Sequence, residues 1–182
     1  MSGGDVTIAA GSEAGQGAAD ANAAAKNASG QNATGSGSQQ DQKKKKCDKK
    51  LSPNDKKELR GKTPDTAATN KVNEKSPQNC PACGKMVNYV SADHIVPASM
   101  IMKMPGFACL SKDNQIKTLN TPGNFAPLCP PCNMSKQAKL WHKWKGYKGG
   151  GFASGAPIKA NQELTNQLLK GLKGQIKGLP WS

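Results

Sequence analysis

The chain divides by where large apolar side chains fall. Residues 1–42 are dominated by Ala, Gly, Ser, Asn and Gln and carry almost none. Too little surface can be buried there to offset chain entropy, so the stretch reads as a disordered, low-complexity leader. Its run Asp20 to Asn27 has helix propensity but no apolar face, which predicts at most a marginal helix. Farther on, Met86 to Ile95 alternates loosely through Val87, Tyr89, Val90 and Ile95, predicting a strand or hairpin arm that Pro97 ends. Met100, Ile101, Met102 and Met104 predict one or two helical turns that pack a small core before Pro105-Gly106. Residues 112–123 hold Asn114, Asn120, Thr121, Pro122 and Gly123 and read as a loop. Phe125 to Leu128 predicts a second short strand. Met134, Ala138, Trp141 and Trp144 then recur at near-helical spacing, predicting a helix from Asn133 toward Lys143 with the tryptophans as packing residues.

After the triplet Gly149 to Gly151, Leu164, Leu168, Leu172 and Ile176 repeat every four residues. This predicts an amphipathic helix weakened by Gly171, Gly174 and Gly178. Packing back on the domain is the default for such a face; docking to a partner or a membrane surface is the alternative.

Composition agrees with a small core flanked by tails, because only 35% of residues are hydrophobic and 4% aromatic. The formal charge of +14 is unevenly spread: residues 1–42 carry −3 and residues 43–182 carry +17. Such a field attracts a polyanion such as nucleic acid, an anionic membrane or an acidic protein. Part of it lies in a run from Lys43 to Arg60, read as a solvated tail or a phosphate-contacting arm. Pro53, Pro64 and Pro77 punctuate this region. The expected organisation is a leader and basic linker over 1–75, an ordered domain over 76–148, and a glycine-rich joint with a basic helical tail over 149–182. No basic and apolar signal sequence and no stretch near spanning length is present, so synthesis in the cytoplasm is expected.

The chemistry is concentrated between Cys80 and Lys136. Cys80/Cys83 and Cys129/Cys132 are two C-x2-C pairs, a spacing at which each short knuckle turns two sulfurs toward one point. Four thiolates so arranged suit a structural Zn²⁺ in a reducing compartment better than disulfides. Cys47 and Cys109 lie outside the pairs and are expected to be a free thiol in a tail and a small buried residue in a loop. Between the knuckles stands Asp93-His94, and directly after the second stands Asn133.

C-x2-C, then DHIVP, then GNFAPLCPPCN-x2-K resembles the HNH endonuclease family over about Cys80 to Lys143. The resemblance implies a small α+β fold: a ββα-metal, treble-clef-like nuclease core stabilised by structural zinc. By the same resemblance His94 is the general base that deprotonates the attacking water, a task suited to a group whose ordinary pKa lies near neutrality. Asn124 is the middle asparagine that holds the hairpin loop and orients the base. Asp93 and Asn133 are the ligands of a catalytic divalent ion, and their oxygens favour Mg²⁺ or Mn²⁺. Asn133 stands where the family often has histidine. Lys136, with Lys139 and Lys143 farther along the expected helix, is a candidate nucleic-acid contact, whereas His142 reads as a solvent-facing residue.

The function implied by this resemblance is that of a metal-dependent endonuclease acting on DNA. The low-complexity leader and the MPGF loop resemble, more loosely, the toxin regions of bacterial polymorphic toxins and type VI secretion effectors. That likeness implies delivery by secretion machinery into a target cell's cytoplasm and a cognate immunity protein. The alternatives are a phage or restriction-type nuclease acting in its own cell, and a non-catalytic zinc module that binds nucleic acid.

Overall fold

The computed structural model describes residues 47–181; the leader, its Asp20 to Asn27 run and Lys43 to Lys46 lie outside the described residues. Folded structure begins well before Ser76. Helix α1 spans Pro53–Arg60 and α2 spans Thr66–Asn73, where the sequence suggested solvated linker. Local chemistry explains both. Ser52 and Asp55 cap α1 reciprocally with Pro53 in its first turn, and the Asp65 side chain accepts the Ala68 N–H to start α2. Leu59 then anchors α1 by complete burial.

Two short antiparallel pairs come next. Strands β1 (Gln78–Asn79) and β2 (Met86–Val87) flank the first knuckle, whose turn closes through Cys80 N–H to Lys85 O and Gly84 N–H to Cys80 O, both 2.8 Å. Gly84 takes φ +72° there, a conformation that favours glycine. Strands β3 (Ser91–His94) and β4 (Phe125–Leu128) pair with Asp93 opposite Ala126 and His94 opposite Phe125. Helix α3 (Ala98–Ile101) starts the long connection between them, as the methionine cluster suggested.

The expected loop over 112–123 is largely helix α4, Lys112–Leu119, started by the Ser111 side chain. Only its tail, from Asn120 to the positive-φ Gly123, is the turn that the asparagine and glycine suggested. Ile116 and Leu119, three apart, face the core and outweigh the turn preference of Asn114.

The second knuckle opens helix α5, Pro130–Lys136, with Pro130 at its first position. This helix begins three residues earlier and ends well short of the expected span, because Gln137 turns to φ +52°. Trp141–Lys143 form a single 3-10 turn. Leaving the helix there carries the Trp141 indole to Asp93 and packs both tryptophans against Phe152. Helix α6, Ile158–Gly178, folds back as the default reading held, burying Leu172 and Ile176. Among the described residues no helix is long and apolar enough to cross a membrane.

Two apolar clusters result. One joins α1, α3, α4 and α6 through Leu59, Val96, Ile101, Phe107, Leu119, Leu172 and Ile176. The other surrounds the knuckles with Ile95, Leu128, Trp141 and Trp144. Cys47 and Cys109, expected as unlinked thiols, are joined in a disulfide. Separated by 62 residues, they are brought together by tertiary folding, which spacing alone does not reveal.

Candidate functional site

The four knuckle sulfurs lie within 4.8 Å of one another, and Cys83 Sγ stands 3.7 Å from Cys129 Sγ. A tetrahedral shell with Zn–S bonds of about 2.3 Å has sulfur–sulfur edges of about 3.8 Å, so the cluster fits Zn²⁺. The Cys129 N–H points at Cys80 Sγ from 3.4 Å. Burial pushes the Cys80 thiol up, but the N–H groups of Cys129, Cys83 and Ala82 outweigh it and bring the group to about 7. Burial raises Cys129 and Cys132, and neighbouring sulfurs add to the rise at Cys132. Four sulfurs this close cannot all ionise without a cation among them. The four cysteines are the only such cluster of metal-ligating side chains among the described residues.

β3 carries Asp93 and His94 to the edge of a cleft of about 390 Å³, and α5 brings Asn133 to the same cleft. His94 is half-buried, its ring 4.6 Å from that of Phe125. Its Nε2 lies 3.2 Å from the Leu119 carbonyl oxygen and 3.0 Å from Thr63 Oγ1. A carbonyl only accepts, and the Thr63 hydroxyl donates to Asn120 Oδ1 at 2.9 Å, so the imidazole proton belongs on Nε2 and the lone pair on Nδ1. Burial lowers His94 to about 4, opposed by the Leu119 carbonyl and helped by the positive charge of Lys136. The ring is therefore neutral at pH 7.

Asn124, fully buried, clamps the chain beyond His94. Its Oδ1 accepts the Val96 N–H at 2.8 Å, its Nδ2 donates to the Val96 carbonyl at 3.1 Å, and its own carbonyl accepts the Ile95 N–H at 2.9 Å. An apolar replacement would orphan both polar groups of Val96.

Asp93 is only 4% exposed, and its partners are already in the chain. Lys136 Nζ lies 2.9 Å from each carboxylate oxygen and donates also to the His94 carbonyl at 3.1 Å, while the Trp141 indole donates at 3.3 Å. Burial pushes Asp93 up to about 6, against the pull of Lys136 and Trp141. An ammonium shared by both oxygens holds the place where a divalent cation would bind, and the two cations would repel each other. As arranged, Asp93 and Asn133 do not fit the expected Mg²⁺ or Mn²⁺ site. Lys136, expected as a nucleic-acid contact, has no exposed side-chain surface and is unavailable to phosphate. Its four-carbon stem reaches inward to the one buried carboxylate within range.

Lys139 and Lys143 are exposed, but they line a different recess with Lys145 and Trp144. His142 is exposed too, while Trp141 and Trp144 are buried packing residues. In the sequence Arg60 stands out only as the end of the basic run, Asn120 only as a turn residue, and Thr63 not at all. Thr63 and Arg60 line the cleft from the N-terminal side, and Asn120 ties Thr63 to the end of α4, its Nδ2 donating to the carbonyls of Lys62 at 2.9 Å and Ile116 at 3.1 Å. A signal existed for Arg60, the only arginine in the chain; Thr63 carried none. No family model matches the chain, and comparison with curated proteins and with solved structures finds no match.

Proposed function

We propose that the chain is an HNH-type endonuclease of the ββα class that hydrolyses DNA phosphodiester bonds with His94 as general base. The observation that carries the reading is the fixed state of that imidazole. It is neutral, its proton is directed to Nε2 by the Leu119 carbonyl, and its acceptor lone pair is left on Nδ1, in a residue that lines a cleft with Asn133 and an arginine. In the proposed reaction a water gives its proton to Nδ1 and its oxygen bonds to phosphorus. The bond from phosphorus to the 3′ oxygen breaks, and that oxygen takes a proton from solvent. Thr63 and Leu119 hold the ring in position, and Asn124 holds the backbone that follows it. The charge of +17 on residues 43–182 supplies attraction for a polyanion.

Plasmid cleavage by zinc-loaded wild type and His94→Ala, with no added metal, Mg²⁺ or Mn²⁺, tests the proposal. Wild type is expected to cut in at least one condition and His94→Ala at least ~100-fold more slowly. Equal rates would remove His94 as the base. A folded wild type that cuts in none of the three would leave a zinc-stabilised nucleic-acid-binding module as the reading.

A further inference from the structure

We propose that Arg60 holds a substrate phosphate in the His94 cleft, supplying positive charge to the oxygens on which negative charge grows. The inference deepens the nuclease reading and rests on it. Of 26 basic residues, 25 are lysines, and the single arginine lines the cleft that holds His94 and Asn133. A guanidinium presents two parallel N–H donors that match two phosphate oxygens, a geometry that an ammonium lacks.

Among the described residues no acidic group claims this charge. Arg60 is exposed, and no ion pair among the described residues involves it. The acids nearby are occupied: Asp55 caps α1 through Ser52, Glu58 pairs with Lys112 at 2.8 Å, and Asp93 pairs with Lys136. Since Lys136 neutralises Asp93 and His94 is neutral, Arg60 is the uncompensated charge among the residues lining the cleft.

The backbone that carries it is also held on both sides. Leu59 before it is fully buried in the helical cluster, and Thr63 after it bonds to the base and to Asn120. The backbone segment carrying the arginine is therefore tied to the imidazole, which places the guanidinium within the reach of one side chain from the same cleft.

Arg60→Gln and Arg60→Lys test the proposal, with Lys170→Gln as an exposed control that loses the same charge on α6. Circular dichroism checks folding. The readouts are single-turnover plasmid cleavage and calorimetric binding of thymidine 3′,5′-bisphosphate to the zinc-loaded protein without added Mg²⁺ or Mn²⁺. Arg60→Gln is expected to slow cleavage by about 100-fold and Arg60→Lys to restore little of it, with Lys170→Gln within about twofold of wild type. Bisphosphate binding is expected to weaken about tenfold or more in Arg60→Gln alone. Cleavage by Arg60→Gln within about threefold of wild type, or full rescue by lysine, overturns the role. Should wild type cleave nothing, the nuclease reading falls and binding decides for Arg60. Selective loss in Arg60→Gln then sustains the phosphate site, and equal affinity in all proteins overturns it.

Discussion

The two halves of the interior are built on different physical terms. The cluster of Leu59, Phe107, Leu119, Leu172 and Ile176 is closed by aliphatic and aromatic packing between helices distant in sequence. The cluster under the knuckles has two tryptophans, a few aliphatic residues and four cysteines, and its strands β1 and β2 are two residues long. Burial of a Leu or Ile side chain stabilises by about 1.5–3 kcal/mol, so the first cluster can hold itself. The second has fewer such side chains, and a zinc ion held by its four sulfurs would supply a bond across its knuckles. His94 lies on the seam: Leu119 of the first cluster sets its tautomer, and β3 and Lys136 join it to the second.

The largest break of this comparison removes the thiolate bond. Structural zinc contributes on the order of 10 kcal/mol or more in small domains. Metal analysis is expected to find about one Zn²⁺ per chain. Cys132→Ser is expected to abolish it and to collapse amide-exchange protection over β1, β2 and α5. Leu172→Ala is expected to cost about 2–5 kcal/mol in urea melts and leave zinc content unchanged. If Cys132→Ser keeps its protection, the knuckle cluster is held by packing after all.

Next comes the ion pair at the seam. Lys136→Met leaves the Asp93 carboxylate buried without its cation and is expected to cost about 3–5 kcal/mol. The double variant Asp93→Leu/Lys136→Met is expected to recover most of that. A single variant as stable as wild type would mean that the carboxylate had found another partner.

A smaller effect lies in pH. Native His94 titrates near 4 against an ordinary 6.5, so as pH falls through that window the unfolded chain binds a proton that the native chain refuses, and stability drops. Asp93 titrates near 6 against an ordinary 3.8, so over its window the native chain binds the extra proton and stability rises as pH falls. Each effect is at most roughly 3 kcal/mol. Opposite in sign, they nearly cancel between about pH 4 and 6. Urea midpoints at pH 4.5 and 6.5 are expected to show His94→Gln gaining stability on acidification and Asp93→Asn losing it, each relative to wild type. Parallel profiles for all three proteins would refute the opposed titrations.

The smallest change sharpens the helical half alone. A Cβ on Gly174 meets nothing within 4 Å, so Gly174→Ala is expected to stabilise α6 by about 0.5–1 kcal/mol, read as a higher melting temperature. A lower one would show that the glycine serves a close contact.

Much of the site could be read from local order. Two C-x2-C pairs, an apolar strand on either side and Asp93-His94 between them are features of a few consecutive residues, and the structure gathers the sulfurs and aligns β3 with β4. Helices α1, α2 and α4 were also locally encoded, in Ser52-Pro53, Asp65 and Ser111, but turn-forming neighbours masked them. The C-terminal helix was legible as a pattern, while its partner was not: Leu172 and Ile176 meet α4 and the α3 connection only in three dimensions.

By itself, then, the sequence determined the knuckle spacing, the strand pair around Asp93-His94, the amphipathic period of α6 and the location of the basic charge. Each rests on backbone preference or side-chain period within one segment. The tertiary structure alone decided that Lys136 turns inward to Asp93, that Cys47 meets Cys109, and that Arg60 and Thr63 reach the cleft of His94. Those outcomes depend on which groups the packed topology brings within a few ångströms, and charge pairing and hydrogen bonding are felt only at that range.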